Sequence, residues 1–334
     1  MPAAESELPA TPYRAPRWLP GGHAQTIHAS LWASRPQVSY SRERWETPDF
    51  DFIDLDWVDN PHQELALDQH DDTPLVVLFH GLEGSSDSHY ARGLMHAVNT
   101  RGWRGVVVHF RGCSGEINRL PRAYHSGDST EIDWILRRLR STRHGPIYVA
   151  GVSLGGNALL KWLGEQGDDA RAVVTRAAAV SAPVDLAAAG VALARGFNLI
   201  YTRNFLTTLK ANTLAKMKRY PALCDKRRMQ AARTLREFDD LVTAPLHGFE
   251  GVDDYYARAG SKPLLKLIST PTLMLNARND PFLPARFLPT PPEVSASVQL
   301  ETPATGGHVG FVSGRFPGNI GWLSQHLLRF FESS

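Results

Sequence analysis

The chain has 334 residues, 43% hydrophobic and 21% charged, proportions that exclude a disordered or collagen-like polymer and leave a soluble globular protein with room for one large core. Lys and Arg number 36 against 34 Asp and Glu, a formal net charge of +2, too balanced for whole-chain affinity for nucleic acid or an anionic membrane. The two cysteines, Cys113 and Cys224, stand far apart; they fit neither a disulfide scaffold nor a cysteine zinc site, and a reducing cytoplasm is the expected setting.

The first twenty residues hold Glu5, Glu7 and five prolines, without the basic start and apolar stretch of a signal peptide. Residues 50–58 alternate Phe52, Ile53, Leu55 and Trp57 with Asp51, Asp54 and Asp56, which predicts an antiparallel strand at the start of a sheet. Apolar runs at 75–79, 106–108, 147–150, 172–180, 272–275 and, more weakly, 298–300 read as strands buried on both faces. Segments 89–98, 130–139, 154–163 and 320–331 place apolar residues three and four apart, as core-facing helices do. Strand and helix in alternation predict a mostly parallel sheet, an α/β fold. The alanine-rich stretch 177–194 is broken by Pro183, Asp185 and Gly190 and does not predict a transmembrane helix.

From residue 185 to 260 strand runs vanish and the pattern turns helical. The expected organisation is a core at 1–184 and 261–334 with a helical lid at 185–260. Between Arg203 and Arg236 this lid holds ten basic residues against one acid, Asp225, which reads as a solvated basic face, with attraction of anionic head groups or acidic substrates as the alternative. Phe205, Leu206, Leu209, Leu214 and Met217 fill one helical arc, but Lys210 and Lys216 fall inside it. That poor segregation argues against a helix lying in a membrane surface.

Gly151-Val152-Ser153-Leu154-Gly155 is a Gly-x-Ser-x-Gly sequence lying between a predicted strand and a predicted helix. In that setting, small residues let the chain turn sharply and project the serine hydroxyl from the sheet. A serine hydroxyl needs a histidine base, and the histidine needs a carboxylate to orient it. In the order Ser, acid, His, the last two belong on loops after late strands. Asp280 follows the strand at 272–275 and His308 follows the strand at 298–300, so Ser153, Asp280 and His308 are the catalytic candidates. Backbone N–H groups should receive the developing oxyanion; Leu154, next to the serine, and Leu82, on the loop after the first parallel strand, are the candidates. Asp128, three residues before Glu131, reads as the cap of a helix, and Asp253 and Asp254 as surface acids in a loop. His326 falls in the terminal helix, His144 and His247 in loops, and His125 ahead of the serine; His80 is expected to brace its loop. Arg111 to Gly115 should help line the pocket, with Cys113 as a small buried residue. Phosphate-loop, dinucleotide and His-Glu-x-x-His zinc patterns are missing, so no cofactor or metal is expected.

Further stretches extend this pattern along most of the chain: Gly21 to Thr26, His80 to Ser85, Phe110 to Gly115, Tyr124 to Asp128, the elbow continued to Gly156 and Asn157, Phe238-Asp239-Asp240, and Tyr255-Tyr256. Together they resemble the YheT/EMB8-like branch of the α/β-hydrolases, which includes the ABHD1, ABHD2 and ABHD3 types. The resemblance implies a serine hydrolase acting on carboxylic esters such as acylglycerols and the acyl chains of phospholipids, some relatives making esters by acyl transfer, with the family triad on Ser153, Asp280 and His308. Animal relatives carry an N-terminal membrane anchor that is not visible here, so membrane residence is not carried over. The leading expectation is an ester hydrolase with a small-molecule acyl ester as its partner and no nucleic acid. The alternatives are acyl transfer, thioesterase or peptidase activity on the same residues, and a non-catalytic binding module. Haloalkane dehalogenation is disfavoured, since it uses a carboxylate at the elbow.

Overall fold

A computed structural model describes residues 13–59 and 72–333, so the acidic, proline-rich start of the chain lies mostly outside the described residues. The strands are β1 (Tyr40–Glu46), β2 (Phe52–Val58), β3 (Leu75–Phe79), β4 (Arg104–His109), β5 (Ile147–Val152), β6 (Arg176–Val180), β7 (Thr272–Leu275) and β8 (Val298–Glu301). They form one sheet in the order β1-β2-β4-β3-β5-β6-β7-β8. The pairs β1–β2 and β2–β4 are antiparallel, and every other neighbouring pair is parallel. Helix α1 (Gly22–Leu31) precedes the sheet, and α2 (His89–Thr100), α3 (Ser129–Ser141), α4 (Leu154–Gln166) and α5 (Ala170–Val173) connect its strands. Between β6 and β7 come α6 (Leu186–Leu193), α7 (Leu199–Met217), α8 (Lys226–Ala231), α9 (Leu235–Phe238), a π-helical turn (Asp239–Thr243), α10 (Ala244–Leu246) and α11 (Val252–Ala259); α12 (Gly321–Glu332) ends the fold.

The parallel strands explain their own composition. Val77 and Phe79 of β3, Val106 and Val108 of β4, and Ile147 and Val149 of β5 face one core with Ile132, Ile135, Leu159 and Leu160 of α3 and α4. Val76, Leu78, Val107, Tyr148 and Ala150 face the other with Leu94 and Met95 of α2 and Leu323 and Leu327 of α12. Side chains alternate across a strand, so covering both faces demands a continuous apolar run. The expected strand at 172–180 is half right: residues 170–173 form a helical turn, and the strand begins at Arg176. Val173 and Val174 are buried, and a short apolar run does not distinguish a strand from a helical turn. Helix α1 and strand β1 were not anticipated; β1 carries Ser41, Arg42, Glu43 and Arg44, too polar a run to read as a strand. No helix among the described residues is long and apolar enough to cross a membrane.

The acids of the 50–58 segment are buried rather than wet. Asp54 takes Arg44 in a paired fork, and Asp56 takes Arg42, His109 and Ser86. Burial alone would raise the Asp56 carboxyl, but these donors hold it well below the usual range. Asp51 is fully buried and accepts from the Arg111 guanidinium, the Asn118 amide and the backbone amides of Phe52, Arg119 and Leu120. Removing one partner from a buried ionic cluster costs about 3–5 kcal/mol because the remaining charge is stranded. The Asp51→Ala substitution is accordingly expected to lower the unfolding free energy by that amount. Urea denaturation measures it, and a change below about 1 kcal/mol would refute this account of the network.

Candidate active site

Ser153 sits between β5 and α4 with φ 53° and ψ −118°. Positive φ is unfavourable for a residue with a Cβ, so the surrounding chain must enforce it. It does so by close approach: a Cβ on Gly155 would lie 2.5 Å from the carbonyl oxygens of both Phe79 and His80, and one on Gly151 would lie 2.6 Å from the Gly155 oxygen. Only glycine lets α4 pack this tightly over the end of β3.

His308 and Asp280 arrive on the loops after β8 and β7. His308 Nδ1 is 2.9 Å from Asp280 Oδ2, and His308 Nε2 is 2.9 Å from Ser153 Oγ. With Nδ1–H donating to the buried carboxylate, Nε2 is left unprotonated to accept from the serine hydroxyl. The other Asp280 oxygen accepts from the Phe282 amide at 2.7 Å, and the Phe282 ring stacks on the imidazole with centroids 4.0 Å apart. The three residues singled out from the sequence are thus brought into one hydrogen-bonded line.

The residues that hold this line include several that the sequence reading assigned no role. Thr26 Oγ1 accepts from the His308 amide and Gln25 Oε1 from the Gly306 amide, while Asn279 Oδ1 accepts from Gly307. Ser181 Oγ accepts from Val309. Gln25 and Thr26 belong to the Gly21–Thr26 stretch that contributed to the family resemblance, which was the one available signal for them.

On the loop after β3, the amides of Gly81, Glu83 and Gly84 are taken by Tyr90 Oη, Tyr124 Oη and the Gly81 carbonyl. Those of Leu82 and of Leu154, first residue of α4, have no partner among the described residues. Both residues line the same cavity as Ser153, about 150 Å³ in volume. His80 braces this loop as expected. It is fully buried, donates from Nδ1 to the Gly81 carbonyl and accepts the Phe110 amide at Nε2, and burial pushes it down to about 3.

Other expectations change. Asp128 stands at the start of α3 but makes no capping bond: Arg122 draws its carboxylate away at 2.5 Å, and Arg111 takes Glu131 at 2.6 Å. Asp253 and Asp254 are surface acids, but on α11 rather than in a loop, paired with Arg236 and Arg258. His125 lines the cavity, its ring tilted at 53° to that of His247 with centroids 4.5 Å apart, and burial pushes it down to about 3; it makes no hydrogen bond to Ser153. Arg111 also lines the cavity, though its guanidinium is committed to Asp49, Asp51 and Glu131. Cys113 is half-buried against the core, and burial pushes its thiol up. Within the basic segment, Lys216 is buried and Lys210 half-buried rather than fully solvated. Lys210 Nζ donates to the carbonyls of Gln230 and Ala232, and Lys216 Nζ to those of Pro121 and Arg122. Both therefore occupy the apolar arc of α7 because neighbouring backbone carbonyls receive their ammonium groups.

The model of the alpha/beta hydrolase fold family matches residues 74–314. Escherichia coli K12 YheT, provisionally named an esterase, is 41% identical over 308 residues, covering 91% of this chain and 88% of its own. Human phospholipase ABHD3 is 30% identical over 319 residues, covering 95% of this chain and 77% of its own. The monoacylglycerol lipase of Saccharomyces cerevisiae is 30% identical over 287 residues, covering 80% and 60%. Among solved structures, the esterase EaEST of Exiguobacterium antarcticum superposes with a TM-score of 0.53 at 17% identity over 87% of this chain and 99% of that one, a likeness of fold.

One further acid lines the cavity. Asp239, in the π-helical turn, is pushed up to about 6 by burial, against hydrogen bonds from Thr243 Oγ1 and Tyr256 Oη that favour its charged form. An unfolded aspartate loses its proton near pH 3.9. Between about pH 4 and 6 the folded chain therefore binds more protons than the unfolded one, and this residue makes stability fall as pH rises. The Asp239→Asn variant is expected to lack that slope, its stability relative to wild type growing by up to about 3 kcal/mol from pH 4 to 7. Urea titrations at the two pH values measure this, and parallel behaviour of the two proteins would refute it.

Proposed function

The chain belongs to the alpha/beta hydrolase fold family, and from that membership we propose that it cleaves carboxylic esters through an acyl-enzyme formed on Ser153. The observation that carries this reading is the line from Asp280 through His308 to the Ser153 hydroxyl, opening on a cavity walled by apolar side chains such as Leu186, Leu193, Phe205 and Val242. In the first half-reaction, Ser153 Oγ attacks the ester carbonyl while His308 Nε2 takes its proton. Collapse of the tetrahedral intermediate expels the alcohol, which receives that proton from His308. A water then attacks the acyl carbon while His308 Nε2 takes its proton; the bond to Ser153 Oγ breaks, Oγ regains the proton from His308, and the carboxylic acid leaves. Asp280 keeps the imidazole in the required tautomer and stabilises it when charged.

The amides of Leu82 and Leu154 are the proposed oxyanion donors. Their unengaged state supports this, since a donor already committed to the protein would have to break a bond as charge develops. Residues 185–260 act as a lid whose apolar inner wall accommodates the acyl chain and excludes water. The names borne by the relatives, esterase, phospholipase and monoacylglycerol lipase, support carboxylic esters, acylglycerols or short to medium acyl esters, as the substrate class.

Hydrolysis of p-nitrophenyl esters from acetyl to palmitoyl, by wild type beside Ser153→Ala, tests the reading. Turnover is expected in wild type, with kcat/KM falling at least about 1,000-fold in the variant. Equal rates in both proteins, or none in wild type, would refute it.

A further inference from the structure

Lys216, in the last turn of α7, is buried on the wall of the cavity that contains Ser153. Its Nζ donates to the Arg122 carbonyl at 2.5 Å and the Pro121 carbonyl at 3.2 Å. An ammonium has three donors, so one is unused, and no carboxylate among the described residues forms an ion pair with it. The other charges on this wall are committed. The Arg111 guanidinium lies against Asp49, Asp51 and Glu131, and the Glu83 carboxylate accepts from Tyr124 Oη and Asn212 Nδ2. Burial lowers Lys216 only to about 8, which leaves it mostly charged at neutral pH.

A cation withdrawn from water is costly unless an anion meets it. Two carbonyl dipoles offset part of that cost and the Asp51 carboxylate attracts the ammonium through space, but Asp51 is engaged by Arg111 and Asn118, and no anion among the described residues touches Lys216 Nζ. The cavity is where a ligand could. We propose that Lys216 forms an anion subsite in this cavity and recognises a carboxylate or phosphate carried by the ester substrate of Ser153. The inference rests on the ester reading and narrows it, to a substrate with an ionised oxygen group apart from the ester being cleaved. Lys216 is then a specificity residue, and its two carbonyl bonds hold the ammonium in place.

Binding separates this inference from turnover. In the Ser153→Ala protein, calorimetry with octyl phosphate, octanoate and octanol is expected to give at least one anion an affinity ten-fold or more above that of the alcohol. The stronger anion identifies the group. Lys216→Met should bring that ratio close to one, while Lys216→Arg should keep it. A purely structural staple would shift the melting temperature without moving the ratio. In wild type, octyl phosphate or octanoate should slow acylation of Lys216, read by mass spectrometry, about ten-fold, and this measurement needs no variant at Lys216. An affinity ratio near one in Ser153→Ala, a ratio that survives in Lys216→Met, or no protection of Lys216 by either anion would overturn the subsite. None of these outcomes depends on ester hydrolysis, which the p-nitrophenyl series judges separately.

Discussion

The candidate centre depends on one backbone conformation, the positive φ of Ser153 where β5 gives way to α4. Such a conformation costs about 1–3 kcal/mol and persists only where its surroundings over-determine it. Here the Ser153 amide donates to the Val180 carbonyl on β6, and its carbonyl accepts from Asn157. Asn157 is itself fully buried, its side-chain amide donating to the Ser126 and Ala259 carbonyls and its oxygen accepting from Ser261. The turn is therefore clamped to the neighbouring strand, to the loop before α3 and to the exit of the helical segment. Strain at the serine is offset by contacts that also bring together three otherwise separate parts of the chain.

The imidazole is positioned from the opposite end of the sequence. Its loop is held by Gln25 and Thr26 of α1, residues more than 280 positions away in the case of His308 and Thr26. The stacked Phe282 ring closes one face. A histidine whose backbone amide is held by a threonine hydroxyl, and whose ring is held by a carboxylate and an aromatic face, has little freedom to leave the serine, which is the preorganisation a proton relay requires.

The helical segment between β6 and β7 is joined to the rest by polar contacts as much as by apolar ones. Lys216 reaches the 121–122 loop, Tyr220 the Arg119 carbonyl, and Asn212 the Glu83 carboxylate. A backbone carbonyl is an acceptor with no competing charge to satisfy, so a lysine can bridge to it from inside a packed interface. This resolves the anomaly of α7, whose cationic residues interrupt its apolar arc. Helical periodicity assumes that charge faces water, and that assumption fails wherever a neighbouring loop presents carbonyls.

Periodicity and local motif were sufficient for the parallel core and for the three aligned side chains. The runs at β3, β5 and β7 are apolar because both sheet faces are covered, and Ser153 follows the end of β5 while Asp280 and His308 stand on the loops after later strands, places that chain order identifies. β1 escaped because its run is polar and mostly exposed, and α1 because the residues it buries include Gln25, Thr26 and His28, whose partners are distant in sequence. Asp128 misled for a related reason: spacing to Glu131 describes a helix cap, whereas Arg122 and Arg111 decide where those carboxylates turn. By itself, then, the sequence determined the elements whose driving force is local, the apolar strands and the small-residue turn around Ser153. The tertiary structure alone decided which charges are buried and what meets them, because an ion pair or a carbonyl contact is set by proximity in space, which residue spacing does not encode.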